Sequence, residues 1–265
     1  MIRIQRGREP AELRAVRATE LPRVRTIAAL NRPTSKEIGG KYEVVKQMLW
    51  ERQHHKCCYC EHLCQLGYHD VEHYRPKAEA NRGAGFPTHG YWWLTWTWSN
   101  LLFSCPGCNR GGAKNSKFPL AAGSMPLIAE EAAPGNEVPL LIDPATESGG
   151  RHIQYRPFTK LGRQSWAPCG TTDKGRRSVA DLMLNRPDLL ELFGFHVRSH
   201  VEPVIQDLKA AIATGNAATV RQVWDDHMAP LVMPSRPYSL LSYDAIDHFI
   251  DPTVRQQWQL QLVKP

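Results

Sequence analysis

The sequence lacks long hydrophobic runs, and this absence excludes whole classes of protein. Among its 265 residues no apolar stretch approaches the length of a transmembrane helix, and the opening segment MIRIQRGREP contains no apolar core of a secretory signal. Phosphate-binding loops of the Gly-x-x-x-x-Gly-Lys type are also absent, so the chain is not expected to hydrolyse ATP itself. We therefore expect a cytoplasmic protein without a membrane partner.

The composition is that of a soluble globular enzyme or binding protein. Hydrophobic residues make up 42% of the chain and charged residues 22%, and the mean hydropathy is −0.43. These values indicate neither disorder nor residence in a membrane. A chain of this length can bury a substantial core and hold one large or two small domains.

Acidic residues are scarce near the N-terminal end. Residues 1–60 contain 13 Lys and Arg against 6 Asp and Glu, whereas residues 61–265 contain 20 of each, so the net charge of +7 comes from the first quarter of the chain. This basic segment could bind phosphates. It could equally be a solvated helix face or a docking arm for an acidic protein partner. Its arginines include Arg3, Arg6, Arg8, Arg14, Arg17, Arg23 and Arg25.

Seven cysteines cannot form a fully paired disulfide framework, but four of them have metal-site spacing. They form two Cys-x-x-Cys pairs, Cys57 with Cys60 and Cys105 with Cys108. A single pair could be a redox centre, whereas two pairs favour one shared tetrahedral Zn²⁺. Four sulfur ligands leave no position for substrate, so this zinc would be structural. The remaining thiols, Cys58, Cys64 and Cys169, are interpreted as buried or free, and nearby His54, His55, His62 and His69 are weaker candidate ligands.

The segments around these cysteines resemble a known nuclease family. The runs CCYC, VEHYRPK and YWWLTWTWSNLLFSCPGCNRGGAKNSKFPL are similar to the HNH, or ββα-metal, nucleases, whose pattern is CxxC, a carboxylate-His pair, an Asn-Leu step and CxxCN. VEHYRPK, WSNLLFSCPGCN and KFPL are similar to the HNH nuclease of Septu-type and retron-associated anti-phage systems, the PtuB family. These motifs cover about residues 57–120, and weaker similarity includes MIRIQRG, LLIDP at 140–144 and GRRSVADLMLNRPDLL at 175–190.

The resemblance implies a role for four polar residues. His73 matches the histidine that deprotonates the attacking water, and Glu72 and Asn109 match the ligands of the catalytic divalent cation. Asn100 matches the asparagine that braces the loop carrying the histidine. Many HNH enzymes have Asp in place of Glu72 and His in place of Asn109, which makes these two assignments weaker than that of His73.

The chemistry of these side chains agrees with such roles. A histidine with an ordinary pKa of about 6.5 can accept a proton from water at neutral pH. A hard cation such as Mg²⁺ or Mn²⁺ binds oxygen, which Glu72 and the Asn109 amide supply. The alternative is that His73 is an ordinary strand histidine and Glu72 a solvated carboxylate. Candidate nucleic-acid contacts are the basic residues in and after these motifs: Arg75, Lys77, Arg110, Lys114 and Lys117.

The resemblance implies an α+β fold in which a zinc-stapled ββα-metal core carries the site. The expected organisation is a basic N-terminal arm (1–34), the HNH core (35–120), a linker or surface loop (121–139) and a mainly helical C-terminal region (140–265). The resemblance also implies a DNA substrate and an ATPase partner subunit in anti-phage defence. The alternatives are a non-catalytic zinc ribbon that binds nucleic acid and a scaffold protein. The apolar surplus of helix 187–213 could be internal core or an interface.

Local patterns predict the individual elements. The tryptophans of residues 91–98 are expected to pack in the core, although such rings can also stack on unpaired bases. Residues 82–90, with three glycines, are expected to form a flexible insertion. The predicted strands are 2–4, 70–76, 101–104 and 140–144, and the predicted helices are 10–18, 42–55, one starting at Asn109, 174–185, 187–213, 216–228 and 243–262.

Overall fold

The computed structural model describes residues 1, 3–83, 85–160 and 162–265, with the backbone alone of Lys160 and Arg163. These residues form helices and two small antiparallel sheets joined by long irregular segments, which agrees with the predicted mixture of helix and strand. The helices are α1 (Ala11–Ala28), α2 (Ser35–Ile38), α3 (Lys46–Arg52), α4 (Pro106–Asn109), α5 (Asp173–Asp181), α6 (Pro187–His196), α7 (Glu202–Ala213), α8 (Ala217–Val223), α9 (Ser239–Phe249) and α10 (Pro252–Gln257); the strands are β1 (Asp70–His73), β2 (Leu101–Ser104), β3 (Ile153–Lys160) and β4 (Arg163–Gly170).

The first sheet is the hairpin-like pair of β1 and β2. The strands are antiparallel, with Glu72 opposite Leu102 and His73 opposite Leu101. The predicted strand 101–104 is confirmed, whereas the predicted strand 70–76 ends at His73.

The prediction that a helix begins at Asn109 is wrong, because the helix lies before this residue. The helical turn α4 begins at Pro106 and ends at Asn109. Proline is well suited to a first helical position because its missing N–H would have no partner there. Arg110 has an extended backbone, with φ −98° and ψ 175°, and this ends the helical turn. Asn109 therefore lies at the C-terminal end of α4.

The N-terminal segment is packed against the rest of the molecule. Helix α1 is longer than predicted and continues through Pro22, and it buries Leu13 and Val24 against the 3₁₀ turns at Lys41–Val45 and Trp92–Leu94. The predicted strand at 2–4 includes Ile2, which lies outside the described residues, and Ile4 is not in a strand. The Ile4 amide donates to Pro144 O at 2.5 Å.

The tryptophan-rich segment is core, as predicted. Trp92, Trp93, Trp96 and Trp98 are all buried. Two 3₁₀ turns, Trp92–Leu94 and Trp98–Asn100, contain three of them, and Trp96 lies between these turns. The helix predicted at 42–55 is shorter, because a 3₁₀ turn at Lys41–Val45 precedes α3. The tryptophan-rich segment contacts β1 through Thr95 O, which lies 3.0 Å from His73 Nε2.

The C-terminal helices are largely confirmed, but the predicted strand at 140–144 is wrong. Helices α6 and α7 are joined by a π turn, Val197–Val201, into the predicted element 187–213, and α8 continues into a second π turn, Trp224–Met228. Leu141 and Ile142 are buried in irregular chain. The Ile142 amide donates to Ser178 Oγ at 2.9 Å instead of to a neighbouring strand.

A second hairpin, β3 and β4, was not predicted. Its strands pair with Tyr155 opposite Pro168 and Pro157 opposite Trp166, and the hairpin packs between α9 and the helices α5 and α6. Prolines argue against strand in a sequence because they cannot donate to a ladder. Both strands of a two-stranded sheet are edges, where that missing donor can be tolerated.

The residues before and after the irregular segment 121–139 share one hydrophobic core. Buried apolar residues form a single cluster that extends from Met1 to Leu260. Residues 121–139 contain no helix or strand, yet they bury Leu127 and Glu137. Among the described residues, no helix is both long and apolar enough to cross a membrane.

Candidate metal centre and adjoining cleft

The four cysteines of the two Cys-x-x-Cys pairs meet in the interior. The Sγ atoms of Cys57, Cys60, Cys105 and Cys108 all lie within 4.8 Å of one another, and all four residues are buried. A zinc–sulfur bond of about 2.3 Å in a tetrahedron requires sulfur atoms about 3.8 Å apart. Cys60 Sγ and Cys105 Sγ are 3.8 Å apart. The predicted grouping is therefore confirmed, and its dimensions fit a zinc ion.

Strand β2 holds the two pairs together. The Cys58 amide donates to Phe103 O at 3.0 Å, which fastens the first pair to β2. Cys105 directly follows Ser104, the last residue of β2, and Cys108 lies in α4. The metal centre is thus continuous with the first sheet.

An arginine from the C-terminal region contacts this centre. Arg186 Nη1 donates to Cys108 Sγ at 3.4 Å. Burial opposes the charged form, but the neighbouring thiols, first Cys108, raise the pKa of Arg186. Four thiolates and one Zn²⁺ carry a net charge of −2, so a guanidinium at this position offsets part of it.

The other cysteines and the nearby histidines lie outside the four-sulfur cluster. Cys58 and Cys64 are buried and Cys169 is half-buried on β4, and burial raises the pKa of the Cys58 thiol well above its usual value. His62 Nδ1 contacts Tyr238 Oη at 2.7 Å. These placements agree with the interpretation of the three thiols as buried or free.

A polar cleft of about 710 Å³ lies beside the metal centre. Its walls come from β1, the end of α4, the 3₁₀ turn at Lys41–Val45 and the irregular segments around Arg32 and Lys77. Glu72, His73 and Asn109 all line it. Three of the four predicted polar site residues are therefore brought to one cavity.

The His73 imidazole is held by the tryptophan-rich segment. Nε2 lies 3.0 Å from Thr95 O, and a carbonyl only accepts, so Nε2 carries the proton and Nδ1 is left as the acceptor. The ring packs edge-on against Tyr42, with centroids 4.5 Å apart. Burial, with the positive charge of Lys77, lowers the pKa of His73 to about 3. The imidazole is accordingly neutral at neutral pH.

The Glu72 carboxylate is largely buried in the cleft wall. Its Oε1 accepts from Tyr59 Oη at 3.1 Å and pairs with Lys114 Nζ at 2.5 Å. Burial raises the pKa of Glu72, and Lys114 partly opposes that shift. The same ammonium donates to His73 O at 2.8 Å. Lys114 therefore links the Glu72 side chain to the His73 backbone.

Sequence reasoning missed Asp70, which orients Asn109. Asn109 Nδ2 donates to Asp70 Oδ2 at 3.1 Å, and Arg110 pairs with the same carboxylate at 2.5 Å. The Asn109 side-chain nitrogen is thereby occupied, and its amide oxygen remains available as an acceptor. The sequence contained a signal for Asp70. Residues two apart on a strand lie on the same face, so Asp70 lies on the same face of β1 as Glu72.

Asn100 lies behind the cleft and braces the chain that follows His73. Its Oδ1 accepts from the Arg75 amide at 2.7 Å, and its Nδ2 donates to Arg75 O at 3.0 Å and to Leu94 O at 3.2 Å. One buried side chain thus fixes the turn after β1 to the tryptophan-rich segment.

Two basic residues expected to bind nucleic acid are internal. Arg75 is buried and pairs with Glu137 at 2.8 Å, and Lys114 is buried with Glu72. Each charge is used to compensate a buried carboxylate, so neither is available at the surface. Lys77 and Arg110 line the cleft, and Lys117 Nζ donates to Gly112 O.

Several N-terminal arginines also have internal partners. Arg6 is largely buried, with Nε donating to Leu101 O at 2.8 Å, and Arg17 pairs with Glu9 at 2.5 Å. Arg23 pairs with Glu20, and Arg25 with Glu130. Much of the basic excess near the N-terminal end is therefore engaged within the molecule.

Comparison with known proteins gives one informative similarity. No family model and no solved structure matches the chain. The Septu protein PtuB of Bacillus mycoides (strain KBAB4) is 31% identical over 201 residues, which is 72% of this chain and 65% of that protein. The matched region therefore spans less than two thirds of the length of this curated relative. The resemblance to PtuB that the motifs indicated is confirmed.

Proposed function

We propose that this protein is a metal-dependent HNH endonuclease that hydrolyses DNA phosphodiester bonds in anti-phage defence. The observation that carries the proposal is the meeting of a neutral imidazole, a carboxylate and an oriented amide in one cleft beside a four-cysteine centre. The similarity to a Septu protein supports the defence role.

His73 is the proposed general base. Its Nε2–H is engaged by Thr95 O, so the proton taken from the attacking water is received at Nδ1. The resulting imidazolium keeps its hydrogen bond to the carbonyl, which offsets part of the burial that lowers the pKa of His73. A positioned general base of this kind contributes about 10²- to 10⁴-fold to a rate.

Glu72 and Asn109 are the proposed ligands of a catalytic Mg²⁺ or Mn²⁺. Their donor atoms are oxygens, as such cations require, and the hydrogen bond to Asp70 commits the Asn109 amide nitrogen and frees its oxygen. Tyr59 and Lys114 both contact Oε1 of Glu72, so Oε2 is the proposed ligand atom. When bound, the cation would neutralise charge developing on the leaving oxygen.

Asn100 acts through His73 and not on the substrate. By fixing the Arg75 backbone and Leu94 O together, it holds the turn after β1 against the segment that supplies Thr95 O. The His73 imidazole and the Thr95 carbonyl are thereby kept within hydrogen-bonding distance. Lys77 and Arg110, which line the cleft, and Lys117 are the remaining proposed phosphate contacts.

An ATPase subunit is the proposed partner, working with this chain in the cytoplasm. The chain has no phosphate-loop motif of its own, and the family that it resembles acts with a separately encoded ATPase. Co-expression with an ATPase encoded beside it, followed by size-exclusion chromatography, tests this. Separate elution, with cleavage indifferent to the ATPase and to nucleotide, would contradict the partnership.

Plasmid cleavage tests the enzymatic proposal. Wild type should nick or cut DNA with Mg²⁺ or Mn²⁺ and not with a chelator. His73→Ala should lose about two to four orders of magnitude in rate while binding DNA as before. His200→Ala, an exposed histidine outside the cleft, is the matched control and should cleave normally.

The same assay separates the enzyme from a silent binding module. A non-catalytic zinc ribbon would bind DNA without any metal-dependent cleavage, and His73→Ala would then change nothing. Equal cleavage by wild type and His73→Ala in nuclease-free preparations would also exclude His73 as the base.

A further inference from the structure

A second, apolar cavity opens beside the polar cleft. It has a volume of about 270 Å³ and is walled mainly by Trp92, Trp93 and the segment at Ile128. The two cavities share Arg32 together with Pro33 and Ala78. The aromatic pocket therefore adjoins the cleft across these three residues.

The aromatic wall is held by contacts within the protein. Trp92 and Trp93 pack edge-to-face with ring centroids 5.8 Å apart, and Trp93 Nε1 donates to Glu131 O at 2.8 Å. Gly90 allows the adjoining chain to close up, since a Cβ there would lie 2.4 Å from the carbonyl carbon of Ala78. The pocket is thus formed before any ligand enters.

Arg32 stands at the boundary of the two cavities with its guanidinium already oriented. Nη2 donates to Thr88 O at 2.7 Å and to Ala78 O at 3.2 Å, and Nη1 donates to Thr88 Oγ1 at 3.2 Å. The residue is exposed. In the described part of the chain it forms no ion pair, so its positive charge is left for a ligand.

We propose that this pocket binds one unpaired nucleobase of the strand held in the cleft. The inference rests on the proposed function and adds to it a preference for substrates with unpaired bases. Aromatic rings and the plane of an arginine stack on bases of any sequence. A volume just below the usual range of about 300–1,000 Å³ for small-molecule pockets suits a single ring system.

The proposal predicts which nucleic acids are cut best. A base can enter the pocket only after it leaves the stack, and this costs least where it is unpaired or mismatched. Single strands, bulges and mismatched sites should therefore be bound and cleaved in preference to continuous duplex. Since the pocket wall offers few polar groups, the identity of the base should matter little.

The alternative occupant is an apolar side chain of a partner protein. The position of the pocket beside the cleft favours the base, because Arg32 and Ala78 line both cavities and His73 lines the cleft. A partner side chain would instead occupy the pocket independently of any nucleic acid. A fluorescent probe base in the strand distinguishes the two occupants, because its emission changes only if the base itself enters the pocket.

The test uses the full chain with zinc and single-stranded oligonucleotides that carry one 2-aminopurine each, with Ca²⁺ in place of Mg²⁺. Stacking on tryptophan should quench the 2-aminopurine emission at one position of the strand. Ile128→Asp should abolish that quenching and weaken binding about fivefold or more, since base stacking is worth about 1–3 kcal/mol and 1.4 kcal/mol is tenfold.

Met125→Asp is the matched control. Met125 is 65% exposed and Ile128 64% exposed on the same irregular segment, and only Ile128 lines the pocket. Both substitutions add one negative charge, so a general electrostatic effect would appear in both. Met125→Asp should keep the quenching, and because both side chains are exposed, both variants should fold.

Three outcomes would overturn the proposal. Tight binding without quenching at any position would leave the nuclease proposal intact and exclude the base pocket. Failure of wild type to bind or cleave any strand would remove both proposals together. Unchanged quenching in Ile128→Asp, combined with lost co-elution with a protein partner, would assign the pocket to that partner.

Discussion

The cleft region and the C-terminal region maintain their shapes by different means. Around the cleft, β1 and β2 have four residues each and α4 is a single turn. In the C-terminal region, α6, α7 and α9 have 10 to 12 residues and pack through buried leucine, isoleucine and phenylalanine. The cleft region instead buries polar groups, among them Glu72, His73, Arg75, Asn100 and Lys114.

This difference indicates where each region is vulnerable. A buried polar network is stable only when every member is satisfied, and short strands contribute little stability alone. The cleft region should therefore depend on its metal and its hydrogen bonds. The C-terminal region should depend on the volume of its apolar side chains, as packed cores do.

Removing one zinc ligand should produce the largest effect. Cys105→Ser should bind less than one zinc per chain and lose hydrogen-exchange protection across residues 57–109. Structural zinc supplies about 10–16 kcal/mol of apparent binding free energy, which the short elements cannot replace. Elemental analysis and hydrogen exchange would measure this. Cys169→Ser, outside the cluster, is the control, and a stable Cys105→Ser protein with full zinc would refute the assignment.

Truncating the C-terminal core should produce the converse pattern. Phe193 is fully buried, with its ring centroid 5.1 Å from Tyr155 and 5.4 Å from Tyr238. Phe193→Ala should lower the free energy of unfolding by about 3–5 kcal/mol with zinc content unchanged. Phe195→Ala, on the exposed side of α6, should change it by about 0.5 kcal/mol or less. Loss of zinc from Phe193→Ala would contradict the separation of the two regions.

A buried carboxyl should give the C-terminal region its own pH dependence. Asp244 Oδ2 accepts from the Tyr155 amide at 2.7 Å, and burial raises the pKa of Asp244 from 3.8 to about 6. The folded state then binds the proton more tightly than the unfolded state. The contribution of Asp244 to the free energy of unfolding should fall as pH rises from 3.8 to about 6, by at most about 3 kcal/mol, and then level off. Burial of His196 lowers its pKa to about 4 and contributes in the opposite direction, so the Asp244 contribution is the difference between wild type and Asp244→Asn.

Asp244→Asn should remove that slope while keeping an oxygen for the Tyr155 amide. Urea unfolding between pH 4 and 8 would measure the slope in both proteins. Asp247→Asn, whose carboxylate pairs with Arg255 and is partly exposed, is the control and should retain the slope. An identical pH profile for wild type and Asp244→Asn would exclude Asp244 as its source.

The smallest effect is expected at the junction of the two regions. Arg186→Gln should release zinc to a chelator faster and lower the free energy of unfolding by about 1–2 kcal/mol, because a charged hydrogen bond to Cys108 is lost. Arg176→Gln removes an exposed ion pair with Asp173 and serves as the control. Equal zinc release from wild type and Arg186→Gln would show that the centre does not depend on the C-terminal region.

Local signals were sufficient for part of the structure. The spacing of Cys57, Cys60, Cys105 and Cys108 predicted their meeting, and apolar periodicity predicted the long helix through 187–213. The burial of the tryptophans also followed from composition, since large rings dominate a small core. These features depend on residues close in sequence or on a ligand set that needs no further partner.

Features that depend on distant partners were missed. Arg75 and Lys114 were assigned to the surface because a sequence shows a charge but not the carboxylate that it will meet; their partners are Glu137 and Glu72. Glu137 belongs to a segment expected to be only a linker or surface loop. The β3–β4 hairpin was missed because Pro157 and Pro168 disfavour strands, and its paired edges became evident only in the structure.

The absence of any spacer between β2 and Cys105 limits how the chain can change in length. A one-residue insertion or deletion at 101–105 must either displace a zinc ligand or slide β2 along β1, and such a slip exchanges the two faces of a strand. The irregular residues 121–139 have no comparable ladder to preserve. Among relatives of this protein, gaps should therefore accumulate in 121–139, while the spacing from Asn100 to Cys105 stays constant.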